Sequence, residues 1–484
     1  MSQSTFCGRL ALTLTALLTL TLTAVPAFAE SVDPVPVSSA VRGAIDTGDT
    51  AWMLTSAAFV MLMVPGLALF YAGMVRRKNV LGTMMHSFAA LGIVGVEWVV
   101  VGYALAFGAS RGHVIGWDTN LLFLKGVTPD LLHAGTHVPE LAFIMFQGMF
   151  AIITPALIAG AFAERVKFGA YALFILLWSL FIYNPLAHWV WGGGWLGVGD
   201  GNIGAIDFAG GTVVHIAAGA SALVMALYLG KRIGFPQNVL QPNSLVLTLF
   251  GAGLLWFGWF GFNGGSAVGI SNPNFGSAAL AFSNTQIAAA AGGLAWLLAE
   301  WRKHGRPSSL GFASGIVAGL VAITPASGYV PPWAAIIIGA AAGYVCFRSV
   351  MLKSKFGYDD SLDAFGVHGV GGFLGALLTG VFCSTALNPA GANGGMPQFW
   401  KQLLAASTAF TFSAIGTLVL VWIVDRAIGF RISRTDEIEG IDAGIHGEQG
   451  WMLEQMPTPS VGMPGSQTVE AEVPARKRTQ VPMH

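Results

Sequence analysis

The chain has 484 residues, of which 54% are hydrophobic and 10% are charged, and its formal net charge is zero. A soluble domain carries about 25% charged residues, so this composition excludes an ordinary soluble protein and indicates an all-α membrane protein with many spans. The zero net charge, without a long basic run, argues against nucleic acid as a partner. Its three cysteines (Cys7, Cys346 and Cys383) form neither a disulfide framework nor a zinc pattern. We expect no cofactor.

The N-terminus resembles a secretory signal. Arg9 precedes an apolar stretch that ends in Ala27-Phe28-Ala29, an A-x-A cleavage pattern. We expect a cleaved signal peptide over residues 1–29, which would leave the mature N-terminus outside a bacterial cell; the alternative is a retained first helix. Residues 30–430 are predicted to form one membrane domain.

Apolar runs long enough to span a bilayer, about 20 residues, recur along the mature chain. We predict eleven transmembrane helices, at about 51–75, 83–107, 140–163, 169–190, 209–230, 243–263, 277–299, 310–326, 332–350, 364–385 and 402–428. An odd number of spans with an outer start places the C-terminus in the cytoplasm.

The distribution of Lys and Arg supports this orientation, because cytoplasmic loops are enriched in positive charge. The outer segments hold only Arg42, Arg111, Lys125 and Lys401. The predicted inner loops hold Arg76, Arg77, Lys78, Arg165, Lys167, Lys231, Arg232, Arg302, Lys303, Arg306, Arg348, Lys353 and Lys355. The chain is therefore predicted to be a multi-pass protein of the bacterial inner membrane, N-out and C-in.

Segments outside the spans differ in character. The connection 108–139 is expected to form a folded outer rim. Residues 431–455 are polar and punctuated by glycine, which suggests a cytoplasmic docking segment. Residues 456–484 lack periodic apolar positions and are predicted to be disordered.

The fifth and tenth spans share a pattern. They begin "DFAGGTVVHIAAG" and "DAFGVHGVGG", each with an Asp, then a His, then a Gly four residues beyond the His. They are five positions apart in the order of spans, so the two helices run in opposite directions, as in an inverted repeat of spans 1–5 and 6–10 followed by an eleventh helix. The repeat brings His215 and His368 together in a central path. Asp207 and Asp363 are predicted to have a structural role, capping their helices.

A metal site at the histidine pair is disfavoured, because the apolar spans supply no third or fourth ligand. No pattern in the sequence indicates an enzyme. Aromatic residues near the outer ends of spans 3, 4 and 6 suggest a cation site: Phe150, Trp191, Trp259 and Phe262, with Ser266 beside them. Ring faces attract a weakly hydrated cation, and a hydroxyl can accept one of its N–H bonds.

Several of these motifs resemble the ammonium transporter family, the Amt/MEP/Rh group. They are "MVPGLALFYAGMVRRKNVLGTMMHSF", "FQGMFAIITPALIAGAFAERVKF", "AHWVWGGGW", "DFAGGTVVHIAAG", "WFGWFGFNGGS" and "DAFGVHGVGG". The resemblance covers residues from about 50 to 451, which is nearly all of the mature chain.

This resemblance implies a homotrimer with one pore per subunit. It places Trp191, Phe150 and Ser266 at an outer ammonium recruitment site and Phe150 and Phe262 at a phenyl gate below. His215 and His368 match the histidine pair of the narrow pore, which Trp259 is expected to line. Residues 434–451 match a tail that docks against neighbouring subunits and responds to PII-type signalling proteins.

The mechanism that we expect is recruitment of ammonium, loss of its proton and passage of ammonia, which excludes potassium because that ion has no proton to lose. Two alternatives remain: a Rh-like facilitator of neutral ammonia or carbon dioxide, and an ammonium sensor that signals through its tail. Glu97, inside the second span, is either a neutral buried carboxyl or a member of a proton relay. The family resemblance assigns it no role.

Overall fold

The computed structural model describes residues 44–199, 201–237, 241–272 and 274–451. The predicted signal peptide and the predicted disordered C-terminus lie outside the described residues. The described chain up to Gly450 forms one unit, and Trp451 belongs to a second unit of which only this residue is described.

Each of the eleven predicted spans contains a helix in the described chain. They are α1 (Thr47–Met74), α2 (Arg77–Phe107), α3 (Glu140–Phe162), α4 (Phe168–Val190), α5 (Gly211–Leu229), α6 (Leu245–Gly265), α7 (Ala278–His304), α8 (Ser309–Ile323), α9 (Pro332–Phe356), α10 (Phe365–Phe382) and α11 (Met396–Ile428).

Within the described ranges, 9 of these helices are both long enough and apolar enough to cross a membrane. The two others are α7, which has 27 residues, and α8, which has 15. The chain is thus a multi-pass membrane protein, while the number eleven and the orientation stay predictions.

Short elements fill the connections. Two antiparallel hairpins occur: β1 (Ser110–Arg111) with β2 (Ile115–Gly116), and β3 (Ser271–Asn272) with β4 (Gly276–Ser277). The first hairpin and a 3-10 turn at Thr119–Leu124 confirm that the connection 108–139 is folded.

Helices α1 and α6 pack closely along a glycine-lined contact. A Cβ atom on Gly66 would lie 3.0 Å from Leu254 Cβ, and one on Gly251 would lie 2.6 Å from the Gly66 carbonyl oxygen. Small residues allow such backbone approach in membrane proteins, where dispersion contacts stabilise helix pairs. This explains part of the high glycine content.

The described chain contains five π-helical turns. Two lie within α2 and α4, at Trp98–Gly102 and Ser179–Tyr183, and two begin α5 and α10, at Gly211–Ile216 and Phe365–Gly369. The fifth, Asp442–His446, lies in the tail. Since π turns re-aim the side chains that they carry, they concentrate at functional sites. The turns that begin α5 and α10 carry His215 and His368.

The tail segment folds back onto the start of α2 and onto the loop that contains Ile233. Helix α12 (Arg434–Glu439) begins with a capping box at Ser433, and Glu437 accepts the Ile233 N–H at 2.6 Å. Beyond it, the Ile441 N–H donates to Asn79 Oδ1 at 2.9 Å, and Asp442 accepts the Gly82 N–H at 2.8 Å. The segment docks on its own chain.

Candidate functional site

The two histidine-bearing helices cross at glycines. Each π-helical start packs against the α-helical continuation of the other helix, so α5 and α10 run antiparallel at this point. Gly219 lies against Gly369, and a Cβ on Gly372 would lie 2.9 Å from His215 Cβ. The glycines four residues beyond each histidine therefore permit the close approach that brings the imidazoles together.

The imidazoles of His215 and His368 contact each other directly. Their Nδ1 atoms are 3.3 Å apart, and the rings are nearly parallel, with centroids separated by 5.3 Å. One Nδ1 must donate a proton and the other must accept it. The Nε2 atom of His215 has no hydrogen-bond partner among the described residues.

Aromatic rings form a continuous row above this pair. Trp191 meets the edge of Phe150 at 6.2 Å, and Phe150 stacks on Phe262 at 4.0 Å with an interplanar angle of 20°. Phe262 lies 6.1 Å from the His215 ring. Trp259 stacks on His215 at 5.3 Å and is held by a hydrogen bond from its Nε1 to Thr324 Oγ1 at 2.9 Å.

A small cavity of about 10 Å³ adjoins the histidines. Such a volume holds about one water-sized molecule. The cavity wall is apolar apart from the imidazoles and consists of Met63, Leu67, Phe70, Ile153, Leu157, Val214, His215, Leu255, Trp259, Phe262, Val317 and His368.

A larger cavity of about 320 Å³, which we call the vestibule, is lined by Trp191, whose ring meets Phe150 of the phenyl stack. Trp191, Ser266, Asp207, Gln147 and His133 all line it. The Trp191 Nε1 donates to the Asp207 carbonyl at 2.8 Å, and the Ser266 hydroxyl donates to the Phe262 carbonyl at 3.0 Å. The structure thus brings together all the aromatic, serine and histidine residues that the sequence indicated.

Asp207 caps α5 as predicted. Its carboxylate accepts the N–H groups of Gly210, Gly211, Thr212 and Val213 at 2.7 to 3.2 Å. Burial raises the pKa of this carboxyl group above its usual value, although the four donors favour the charged form.

The predicted cap at Asp363 is wrong. Asp360 accepts the N–H groups of Ala364 and Phe365 at 3.0 and 2.8 Å, whereas Asp363 pairs with Lys353. Asp363 has a positive φ of 62°, whereas the N-cap residue of a helix is usually extended. The spacing contains the missed signal, because Asp360 precedes His368 by the same eight residues that separate Asp207 from His215.

A buried cluster of ion pairs beside Asp360 was also missed. Asp359 binds Arg165 at 3.1 Å and Arg232 at 2.8 Å, and Glu164 binds Arg232 at 3.1 Å and Arg76 at 3.0 Å. Burial alone would raise the pKa values of both acids, but the arginines outweigh it and lower them. The sequence shows that charged residues occur in the predicted inner loops. It does not show which of these distant loops pair with each other.

Glu97 lies apart from the aromatic row and lines neither cavity. Its two carboxyl oxygens accept hydrogen bonds from Ser179 Oγ at 2.9 Å and Asn184 Nδ2 at 2.8 Å. The residue joins the π turns of α2 and α4. In the described part of the chain, no three His, Cys, Asp or Glu side chains come together as a metal site requires.

The fold and the site define a multi-pass membrane protein with an open vestibule, a row of stacked rings and a histidine pair in an apolar path. The profile of the Ammonium Transporter Family matches residues 51–451. The chain therefore belongs to the ammonium transporter family.

Relatives and solved structures agree with this assignment. An ammonium transporter of Bacillus subtilis is 48% identical over 84% of this chain and 98% of its own length. The transporter Amt1 of Archaeoglobus fulgidus is 43% identical over 83% of this chain and 98% of its own length.

Among solved structures, Mep2 of Saccharomyces cerevisiae has a TM-score of 0.73 at 35% identity, covering 81% of this chain and 88% of its own. A structure described as a sensor Amt protein has a TM-score of 0.75 at 30% identity, covering 82% and 97%.

Proposed function

We propose that the chain takes up ammonium across the bacterial inner membrane and conducts it as ammonia. The recruitment site comprises Trp191, Phe150 and Ser266. Ring faces attract a partly dehydrated ammonium ion by about 0.5–2 kcal/mol. The Ser266 hydroxyl, which donates to the Phe262 carbonyl, keeps its lone pairs for an ammonium N–H.

Below this site the ion gives up a proton. The path past Phe150 and Phe262 is apolar and its cavity holds about one water-sized molecule, so an ion would lose its hydration at a cost of several kcal/mol. When an N–H bond of ammonium breaks, its electron pair stays on nitrogen, the proton passes to a water molecule in the vestibule, and neutral ammonia goes on. Potassium has no proton to lose and is excluded.

The histidine pair can form hydrogen bonds with ammonia as it passes. With one proton shared between the two Nδ1 atoms, the Nε2 of one imidazole is an acceptor and that of the other is a donor. Ammonia can both donate and accept, so the pair provides one partner of each kind. The close, stacked His215–His368 pair beneath the Phe150–Phe262 stack is the observation that carries the proposal.

The proposal includes assembly and regulation. We infer a homotrimer with N-out, C-in subunits, methylammonium as a second substrate, and a PII-type signalling protein as the partner of the cytoplasmic tail. The docking of residues 434–450 on the loops supports a role for the tail in regulation.

The test uses purified protein in proteoliposomes. We expect uptake of labelled methylammonium and no uptake of potassium. An ammonium-dependent current would mean that the proton also crosses; uptake without current would mean that it returns outside. His215→Asp is expected to keep some flux and admit potassium, because a carboxylate stabilises a cation in the path. No uptake by the wild type would refute the transport proposal, and unchanged selectivity in His215→Asp would refute the role of the pair.

A sensor is the second candidate, favoured by the similarity to the sensor Amt structure. Ammonium binding without flux in the same liposomes would support it. A Rh-like gas facilitator is disfavoured, because a neutral gas has no need of a cation site at Trp191 and Ser266.

A further inference from the structure

A histidine and a glutamate form a hydrogen-bonded pair at the vestibule wall. His133 Nδ1 lies 2.8 Å from Glu140 Oε2, and the Tyr103 hydroxyl donates to the other carboxyl oxygen. The side chains of His133 and Glu140 are 15% and 6% exposed. The carboxylate is therefore buried, but the imidazole connects it to the vestibule.

Aromatic rings hold the imidazole in this position. Phe143 stacks on His133 at 3.6 Å with an interplanar angle of 16°, and Phe275 lies 6.2 Å away. Both phenyl rings line the vestibule together with His133. The imidazole therefore forms part of the vestibule wall, with the Glu140 carboxyl group behind it.

Other charged groups near the vestibule interact with other parts of the chain. Asp207 faces four backbone N–H groups, and burial raises the pKa of Tyr329, which keeps that phenol neutral. Asp46 caps α1, and Asp49 accepts the Ile270 N–H at 2.7 Å. His137 is exposed on the same loop as His133.

We propose that Glu140 and His133 form an additional ammonium-recruiting pair at the vestibule wall. The proposal rests on ammonium recruitment at the vestibule. The Glu140 carboxylate lies behind the imidazole of His133 and attracts a cation that enters the cavity. Removing this charge should therefore weaken recruitment without stopping transport.

The experiment measures KM and the maximal rate of methylammonium uptake by proteoliposomes at neutral pH. Glu140→Gln keeps the size of the side chain and removes its charge. We expect its KM to rise about threefold at an unchanged maximal rate, as for one charge lost across a partly aqueous cavity. His133→Gln keeps the Glu140 charge, so its KM should stay near the wild-type value.

Tyr103→Phe is the matched control, because it removes a hydrogen bond to Glu140 and keeps the carboxylate. Its KM should stay near the wild-type value. A second measurement uses salt: raising the sodium chloride concentration screens charges and should shrink the difference in KM between the wild type and Glu140→Gln.

The outcomes separate this proposal from the transport proposal. Equal KM values for the wild type and Glu140→Gln, or a salt-insensitive difference between them, would overturn the recruiting pair while uptake continued. Absence of uptake by the wild type would instead refute transport itself.

Discussion

At α5, the π-helical start carrying His215 adjoins a vestibule of about 320 Å³, whereas at α10 the start carrying His368 adjoins a layer of buried ion pairs. In both, a carboxylate eight residues before the histidine caps the helix. Asp207 accepts four N–H groups, and Asp360 accepts two. Both regions therefore use the same arrangement, a π-helical start capped by a carboxylate, to position a histidine.

The difference between the two regions lies in what surrounds the cap. Next to Asp207, Trp191 and Ser266 leave room for a hydrated ion. Next to Asp360, the residues Asp359 and Arg165 tie the chain before α10 to the loop after α3. The local motif therefore does not decide the function of a helix start; its neighbours do.

The largest expected effect comes from breaking the ion-pair layer. Asp359→Asn removes the carboxylate shared by Arg165 and Arg232, leaving two buried guanidinium groups with too little negative charge. Breaking a buried pair in this way costs about 3–5 kcal/mol. The free energy of unfolding in detergent micelles, followed by tryptophan fluorescence, measures the loss.

Glu439→Gln, which changes an exposed carboxylate on α12, is the matched control and should cost less than about 0.5 kcal/mol. Equal stabilities of the two variants would mean that the layer does not anchor α10.

The second effect compares the caps. Asp207→Ala leaves four N–H groups without their acceptor, and Asp360→Ala leaves two. Loss of a helix cap costs about 0.5–2 kcal/mol, and buried unsatisfied donors add to it. We expect Asp207→Ala to be the less stable variant by about 1 kcal/mol in the same unfolding measurement. The reverse order would mean that the number of accepted N–H groups does not set the stability that a cap contributes.

Much of this arrangement was predictable, because lipid imposes strong rules on sequence. Long apolar runs marked the helices, and the residues predicted at the vestibule, the phenyl stack and the histidine pair lie together in the structure. The cap at Asp363 was mispredicted because three aspartates lie within five residues, and only backbone conformation selects Asp360. The ion-pair layer joins loops far apart in the chain, so no local pattern revealed it.

The third effect is a pH dependence of stability at the Asp360 cap. Burial and the neighbouring Asp363 carboxylate raise the pKa of Asp360 to about 6, above an unfolded value of about 3.9. The folded chain thus holds this proton more tightly than the unfolded chain does. The resulting stabilisation is fully present below about pH 4 and is lost as the pH rises through about 6.

Asp363→Asn removes one cause of the raised pKa of Asp360. The stability of this variant should therefore stop declining at a lower pH than that of the wild type. Unfolding midpoints between about pH 4 and about pH 7 would measure this. Superimposable profiles of the wild type and the variant would mean that Asp363 does not act on Asp360. At neutral pH the lost pair with Lys353, which is partly exposed, should cost at most about 1 kcal/mol.

The smallest effect concerns Glu97, a third carboxylate beside a π turn. Because Ser179 and Asn184 satisfy both of its oxygens and it lines neither cavity, we assign it a structural role like that of the caps. Glu97→Gln should leave methylammonium uptake and its pH dependence unchanged and cost about 1 kcal/mol or less.

Ser179→Ala is the matched control for Glu97→Gln, since it removes one of the same hydrogen bonds and keeps the carboxyl group. A proton relay requires a group that titrates, so it would separate these variants: uptake by Glu97→Gln would change its pH profile, and uptake by Ser179→Ala would not. Equal pH profiles of uptake for both variants would support a structural role for Glu97, which links α2 to α4. Carboxylates at π turns would then fix helix geometry at both ends of the path, with proton exchange confined to the row from Trp191 to His368.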